Sequence, residues 1–178
     1  MKSRLLAVVI LLNFGSYVGQ AVEVAAPAST GIKPPFGLQW DESAQRIEEL
    51  LKNAKAEILE RKSEAGEEVI AVRIANSGVR QTHFHFREGK LKGVTLSYFR
   101  PDWDASEYGN FYEQTAQRLS KRHGAAEETL PPPAGVVAPH EKLWHDGQAR
   151  LILKLAEAGQ DGGEAVGKLR IEVIYTAG

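Results

Sequence analysis

Apolar residues fall into three successive patterns along this chain. Residues 5–12 are an unbroken apolar run. Ala44, Ile47, Leu50, Leu51 and Ala54 then recur at helical spacing, with Glu48, Glu49 and Lys52 on the opposite face. Asp41 is the expected N-cap of that helix, with Glu42 near its positive end. From residue 57 the period changes to two. Strands are expected over 57–61 and 69–75, joined by Glu64-Ala65-Gly66 and followed by a turn at Asn76-Ser77-Gly78. Residues 82–87 and 91–99 read as a hairpin around Glu88-Gly89-Lys90. A second helix opens with Asp104 and Glu107 as a capping box, and Tyr108, Phe111, Tyr112, Ala116 and Leu119 share one face. Lys121, Arg122 and His123 suit the negative end of its dipole, and Gly124 is the residue expected just past it. A proline-rich loop over 129–139, a hairpin of 142–145 with 149–156 around Asp146-Gly147, a glycine-rich loop over 159–167 and a last strand over 168–175 complete the pattern.

Alternation also assigns faces. In the third expected strand Phe84 and Phe86 alternate with His83, His85 and Arg87; in the next, Val94, Leu96 and Tyr98 alternate with Gly93, Thr95 and Ser97. A two-residue turn at Glu88-Gly89 would set Phe84 against Gly93. A three-residue turn with a bulge at Gly89 sets Phe84 against Val94 and Thr82 against Leu96, which keeps apolar partners together and is preferred. The other face then carries His83, His85, Thr95 and Ser97, with Arg73 beside them and Arg150, Lys154, Arg170 and Glu172 from the second half. This polar, net basic surface is the candidate binding face; the alternative is a solvated sheet face without a partner.

The first segment sets the expected location. Lys2 and Arg4, the apolar run, then Gly19 and Ala21 at the minus-three and minus-one positions make residues 1–21 a secretory signal. The run is far shorter than the ~20 residues that span a bilayer, so no stable membrane insertion is expected after cleavage. The mature product is expected to be soluble and periplasmic or secreted. Of 22 basic and 23 acidic residues, cleavage would remove two basic ones, leaving 20 against 23, a charge of −3. That balance gives no reason to expect nucleic acid as the partner. Residues 22–35 carry three prolines among small residues and read as a leader before a single domain over 36–178. The chain has no cysteine, which excludes disulfides, thiolate metal sites and a cysteine nucleophile.

Candidate chemistry is sparse. His83-x-His85 has the look of a metal-ligand pair, since two residues apart on a strand point the same way, but it needs a third ligand from His123, His140, His145 or Asp146. Asp102 and Asp104 flank Trp103 in turn and cap positions, and Asp146-Gly147 is a turn signal. No Gly-x-Ser-x-Gly elbow, phosphate-binding glycine loop or His-Glu-x-x-His motif occurs, so neither catalysis nor a cofactor is expected. The aromatics Tyr98, Phe99, Trp103, Tyr108, Phe111 and Tyr112 sit at strand and helix periods and are expected to be core.

The halves 36–100 and 101–178 can be laid over one another. Trp40-Asp41-Glu42-Ser43 matches Trp103-Asp104-Ala105-Ser106, and Phe86-Arg87-Glu88-Gly89-Lys90 matches Trp144-His145-Asp146-Gly147-Gln148. The expected fold is therefore α+β: two tandem repeats of a helix and an antiparallel meander, with the helices on one face of the sheet. With its signal segment and size, this duplicated unit resembles small envelope modules of the beta-lactamase-inhibitor-protein type, whose single-unit relatives are outer-membrane assembly lipoproteins. It departs from them in having no lipobox cysteine and no disulfide pair. The resemblance implies protein–protein binding through the open sheet face; the strand alternation and the export signal together make the expected partner an envelope or extracellular protein, met around His83, His85, Arg87, Thr95, Ser97 and Arg73. The alternatives are a small-ligand or metal-binding periplasmic module on the same face and, less favoured, a hydrolytic enzyme.

Overall fold

The structure is a computed structural model and describes residues 31–75, 77–128, 140–157 and 169–178. The expected signal segment, residues 22–30 of the expected leader, the loops over 129–139 and 159–167, and Asn76 of the second turn lie outside the described residues. A short 3-10 turn at Pro35–Gly37 precedes α1 (Ala44–Asn53), β1 (Glu57–Glu64), β2 (Glu67–Arg73), β3 (Gln81–Arg87) and β4 (Lys90–Tyr98). Then follow α2 (Ala105–His123), β5 (Glu127–Glu128), β6 (His140–Asp146), β7 (Ala149–Glu157) and β8 (Leu169–Thr176). The strands form one antiparallel sheet in the order β1-β2-β3-β4-β8-β7-β6-β5. The chain is thus α+β. No described helix is long and apolar enough to cross a membrane.

The core lies between the helices and one face of the sheet. Phe84 stands between Ile70 and Val94, and Val173 between Leu96 and Leu153, each directly opposite its neighbours. With Leu91, Leu151, Ile171 and Trp144 they form one cluster with Ile47 and Leu51 of α1 and Tyr108, Tyr112, Ala116 and Leu119 of α2. Each fully buried large aliphatic side chain contributes roughly 1.5–3 kcal/mol. Glu48 of α1 reaches Arg61 of β1 at 2.7 Å, and Glu113 of α2 reaches Lys142 of β6 at 3.1 Å, so charged pairs border the apolar layer. The Tyr108 hydroxyl donates to the Arg100 carbonyl at 2.9 Å and accepts from the Arg100 amide at 2.8 Å, holding α2 to the segment after β4.

Several expectations change. Asp41 is not the cap of α1. Its φ of 65° places it in the left-handed region, its amide donates to the Leu91 carbonyl, and Ser43 caps the helix by accepting from the Arg46 amide at 3.2 Å. The 41–44 segment pairs with the β3–β4 turn and the start of β4, and the helix begins directly after that pairing. The capping box of Asp104 and Glu107 is present as read. Within the expected leader, Ile32 is 3% exposed and part of the core cluster, and its carbonyl accepts from the Trp40 indole at 2.9 Å. Phe36, by contrast, is 51% exposed.

The β3–β4 register has Phe84 opposite Val94 and Thr82 opposite Leu96, but by another route than a three-residue turn. Arg87 pairs with Lys90 across a two-residue loop, with Glu88 and Gly89 at φ 51° and 68°, and the extra residue is Lys92, bulged between Leu91 and Gly93. The bulge sits inside β4, where it turns Leu91 and Val94 to the same face.

Candidate functional site

The face opposite the helices is built in rows, because antiparallel register aligns one residue from each strand. One row runs Ala71, His83, Thr95, Ile174, Ile152 and Leu143. On one side of it lie Ser97, Glu172, Lys154 and Glu141; on the other, Val69, His85, Gly93, Thr176, Arg150 and His145. The alternation read from sequence therefore puts Arg150, Lys154, Arg170 and Glu172 on the side of the histidines.

Over β1–β4 and β8 this face forms a groove of about 810 Å³. His83, His85, Thr95, Ser97 and Arg73 all line it. Arg87 does not. It stands at the end of β3, 68% exposed, paired with Glu67 of β2 at 2.9 Å. Three groups of lining residues were not singled out by sequence reasoning: Leu59, Glu60 and Lys62 of β1, Arg80 and Gln81 entering β3, and Ile174 of β8. Strand β1 is exposed along its whole length, so its period-two signal pointed to no face. Phe99, expected in the core, also lines the groove; Tyr98, Trp103 and Phe111 do pack together, with ring centroids 5.2–5.3 Å apart.

Gly93 makes room for the histidine pair. A Cβ there would stand 3.3 Å from the His85 Cβ and 3.4 Å from the Tyr175 carbonyl oxygen. With that space free, His85 Nε2 forms a 3.2 Å hydrogen bond with Thr95 Oγ1, and the His83 ring meets it edge-on at 6.3 Å between centroids. Burial pushes both imidazoles below their ordinary range. Glu60 opposes this at His83 while Arg170 and Lys62 reinforce it; at His85 the neighbouring His83 reinforces it and Glu67 opposes it. Both rings are therefore held toward the neutral form.

The cations around them are partly engaged. Arg73 donates through Nη1 to Glu57 at 2.8 Å, Lys62 pairs with Glu60 at 3.0 Å, and Arg170 with Glu172 at 3.2 Å. The Nε atoms of Arg73 and Arg170 are buried without an aligned acceptor. Among the described residues no three of His, Cys, Asp and Glu converge on a metal position. Of the four third-ligand candidates, His123 ends α2, His140 stacks near Tyr112 at 6.2 Å, and His145 and Asp146 close β6, three strands beyond β4.

The remaining feature is apolar. Ile174, Ile152 and Leu143 continue the His83–Thr95 row across β8, β7 and β6 and are half-buried, yet none of them packs into the core. Comparison of the chain with protein-family models, curated proteins and solved structures gave no match.

Proposed function

We propose that this is an exported protein-binding module that performs no catalysis and meets an envelope or extracellular protein through the open face of its sheet. The observation that carries the reading is the aliphatic row Ile174–Ile152–Leu143, set between charged rows on the side away from the helices. On a face that only meets water, aligned aliphatic side chains gain just the cross-strand packing of each pair, roughly 0.2–1 kcal/mol, and leave the rest of their apolar surface wet. An apolar centre with a polar rim is the anatomy of a protein interface. Size agrees: seven long strands at ~4.8 Å spacing and about seven residues each give roughly 700 Å², close to the ~800 Å² that a standard interface buries per partner. The order of elements also supports a two-repeat origin, since each helix is followed by four strands and the halves join at β4 and β8.

The test is retention of a partner from envelope extract by the immobilised protein and by an Ile152→Ser/Ile174→Ser variant shown to be folded. A partner held by the parent and released by the variant supports the reading. A partner held equally by both moves the interface off this face, and specific retention by neither removes the reading.

A further inference from the structure

The groove has a chemically distinct end. Arg73 closes β2, Arg80 leads into β3 and Arg170 opens β8, so antiparallel topology brings three guanidinium groups to one edge of the same groove. Gln81 and Ser97 lie with them as uncharged hydrogen-bonding side chains. Counting Lys62, the lining holds four permanent cations against Glu60 and Glu172, on a chain whose formal charge is −1. Arg80 has no ion pair among the described residues. The buried Arg73 Nε has no hydrogen-bond acceptor, although Glu57 holds the Arg73 Nη1, while the Arg170 Nε is ion-paired with Glu172 at 3.2 Å without hydrogen-bond alignment. A buried donor without an acceptor is destabilising, and a carboxylate meets a guanidinium edge through two parallel hydrogen bonds.

Resting on the protein-binding reading above, we propose that the groove takes an acidic, extended segment of the partner protein. A carboxylate sits at the arginine end, and an aliphatic side chain of the same segment lies on Ile174 and Ile152. Arg170 and Ile174 are four residues apart on β8, about 14 Å at ~3.4 Å per residue. An extended segment covers that span in about four residues, which fixes the spacing between its acid and its aliphatic anchor. The continuity of charge and aliphatic row favours a peptide over a free anion, which would have no use for Ile174. It also favours a peptide over nucleic acid: among the described lining residues Phe99 is the only Phe, Tyr or Trp, and the two imidazoles are packed against each other and Thr95 rather than spaced as successive stacking platforms for bases.

Fluorescence anisotropy with the full chain tests this. The probes are a labelled peptide whose glutamates lie about four residues from its leucines, a twin with glutamine for glutamate, and a single-stranded oligothymidylate of equal charge. The acidic peptide is expected to bind at least about tenfold tighter than its twin, and to weaken about tenfold in Arg73→Gln/Arg170→Gln but not in Lys121→Gln on the helix side. If the arginine variant fails to fold, the comparison of acidic peptide and twin on the parent still decides. No saturable binding of the acidic peptide, equal binding of the twin, or tighter binding of the oligonucleotide overturns the proposal. Equal binding of both peptides that is lost in Ile152→Ser/Ile174→Ser removes the acidic chemistry and leaves the open-face reading standing. Peptide binding indifferent to both variants removes the two together.

Discussion

At the residue scale the groove depends on the missing side chain of Gly93, which lets His85 lie over the sheet against Thr95. Gly93→Val is expected to push His85 off Thr95 and to lower stability by about 1–3 kcal/mol, the usual range for overpacking, measurable as a shifted urea midpoint. The histidines also make stability depend on pH. Their folded-state pKa values lie below the ordinary 6.5, so in the window just under 6.5 the unfolded chain binds more protons than the folded one. The contribution is intact above 6.5 and is lost as pH falls through that window toward the folded values. A melting temperature that declines between neutral and mildly acidic pH, and declines less in His83→Gln/His85→Gln, is the expected result; identical slopes would show that the pair is not held neutral. Which side chains share the open face was legible in the sequence, because a strand alternates whatever it packs against. That Arg87 falls outside the groove was not, since alternation fixes a face but not how far along the strand the groove extends.

At the element scale, two helix starts that read alike are held differently. Ser43→Ala is expected to cost about 1 kcal/mol, the value of an N-cap, and Asp104→Ala about the same. Asp41→Asn should stay within about 0.5 kcal/mol: it keeps a residue type tolerant of positive φ and removes only an exposed pair with Lys92. Thermal or urea unfolding of the three variants checks the order, and an Asp41→Asn loss equal to that of Ser43→Ala would contradict the assignment. The second cap was readable because Asp104 and Glu107 satisfy each other locally. The first was not, because the Asp41 conformation follows from pairing with Leu91, 50 residues away (91 − 41). The same limit hid the route of the β3–β4 hairpin: matching apolar partners gave the register, while the Lys92 bulge is a backbone event with no composition signal. Neighbours on β7 separate core from open face. Leu153→Ala should cost about 2–5 kcal/mol, and Ile152→Ser less than about 1.

At the scale of the whole molecule, the halves meet along β4 and β8, where Leu96 faces Val173 within a core that both helices enter. Cutting there would leave two long unpaired edges, so the chain is expected to unfold as one unit. Trp40 belongs to the first half, and Trp103 and Trp144 to the second; tryptophan fluorescence and far-ultraviolet circular dichroism should give coincident urea transitions. Separate transitions would mark independently stable halves. The α+β class and the helices on one face followed from period and length alone. The residue matches that suggested a repeat do not occupy equivalent places: Ser43 caps one helix and Asp104 the other, and Gly89 is second in its two-residue loop while Gly147 is first.

Whether a partner docks on the open face can be read by photo-cross-linking. A photoreactive amino acid placed at Ser97 or Ile152 on that face, or at Glu49 or Lys121 on the helix side, would be irradiated with envelope extract and the adducts identified. One shared adduct is expected from the Ser97 and Ile152 positions and none from Glu49 and Lys121. The same adduct from the helix side, with nothing from Ser97 and Ile152, would contradict it.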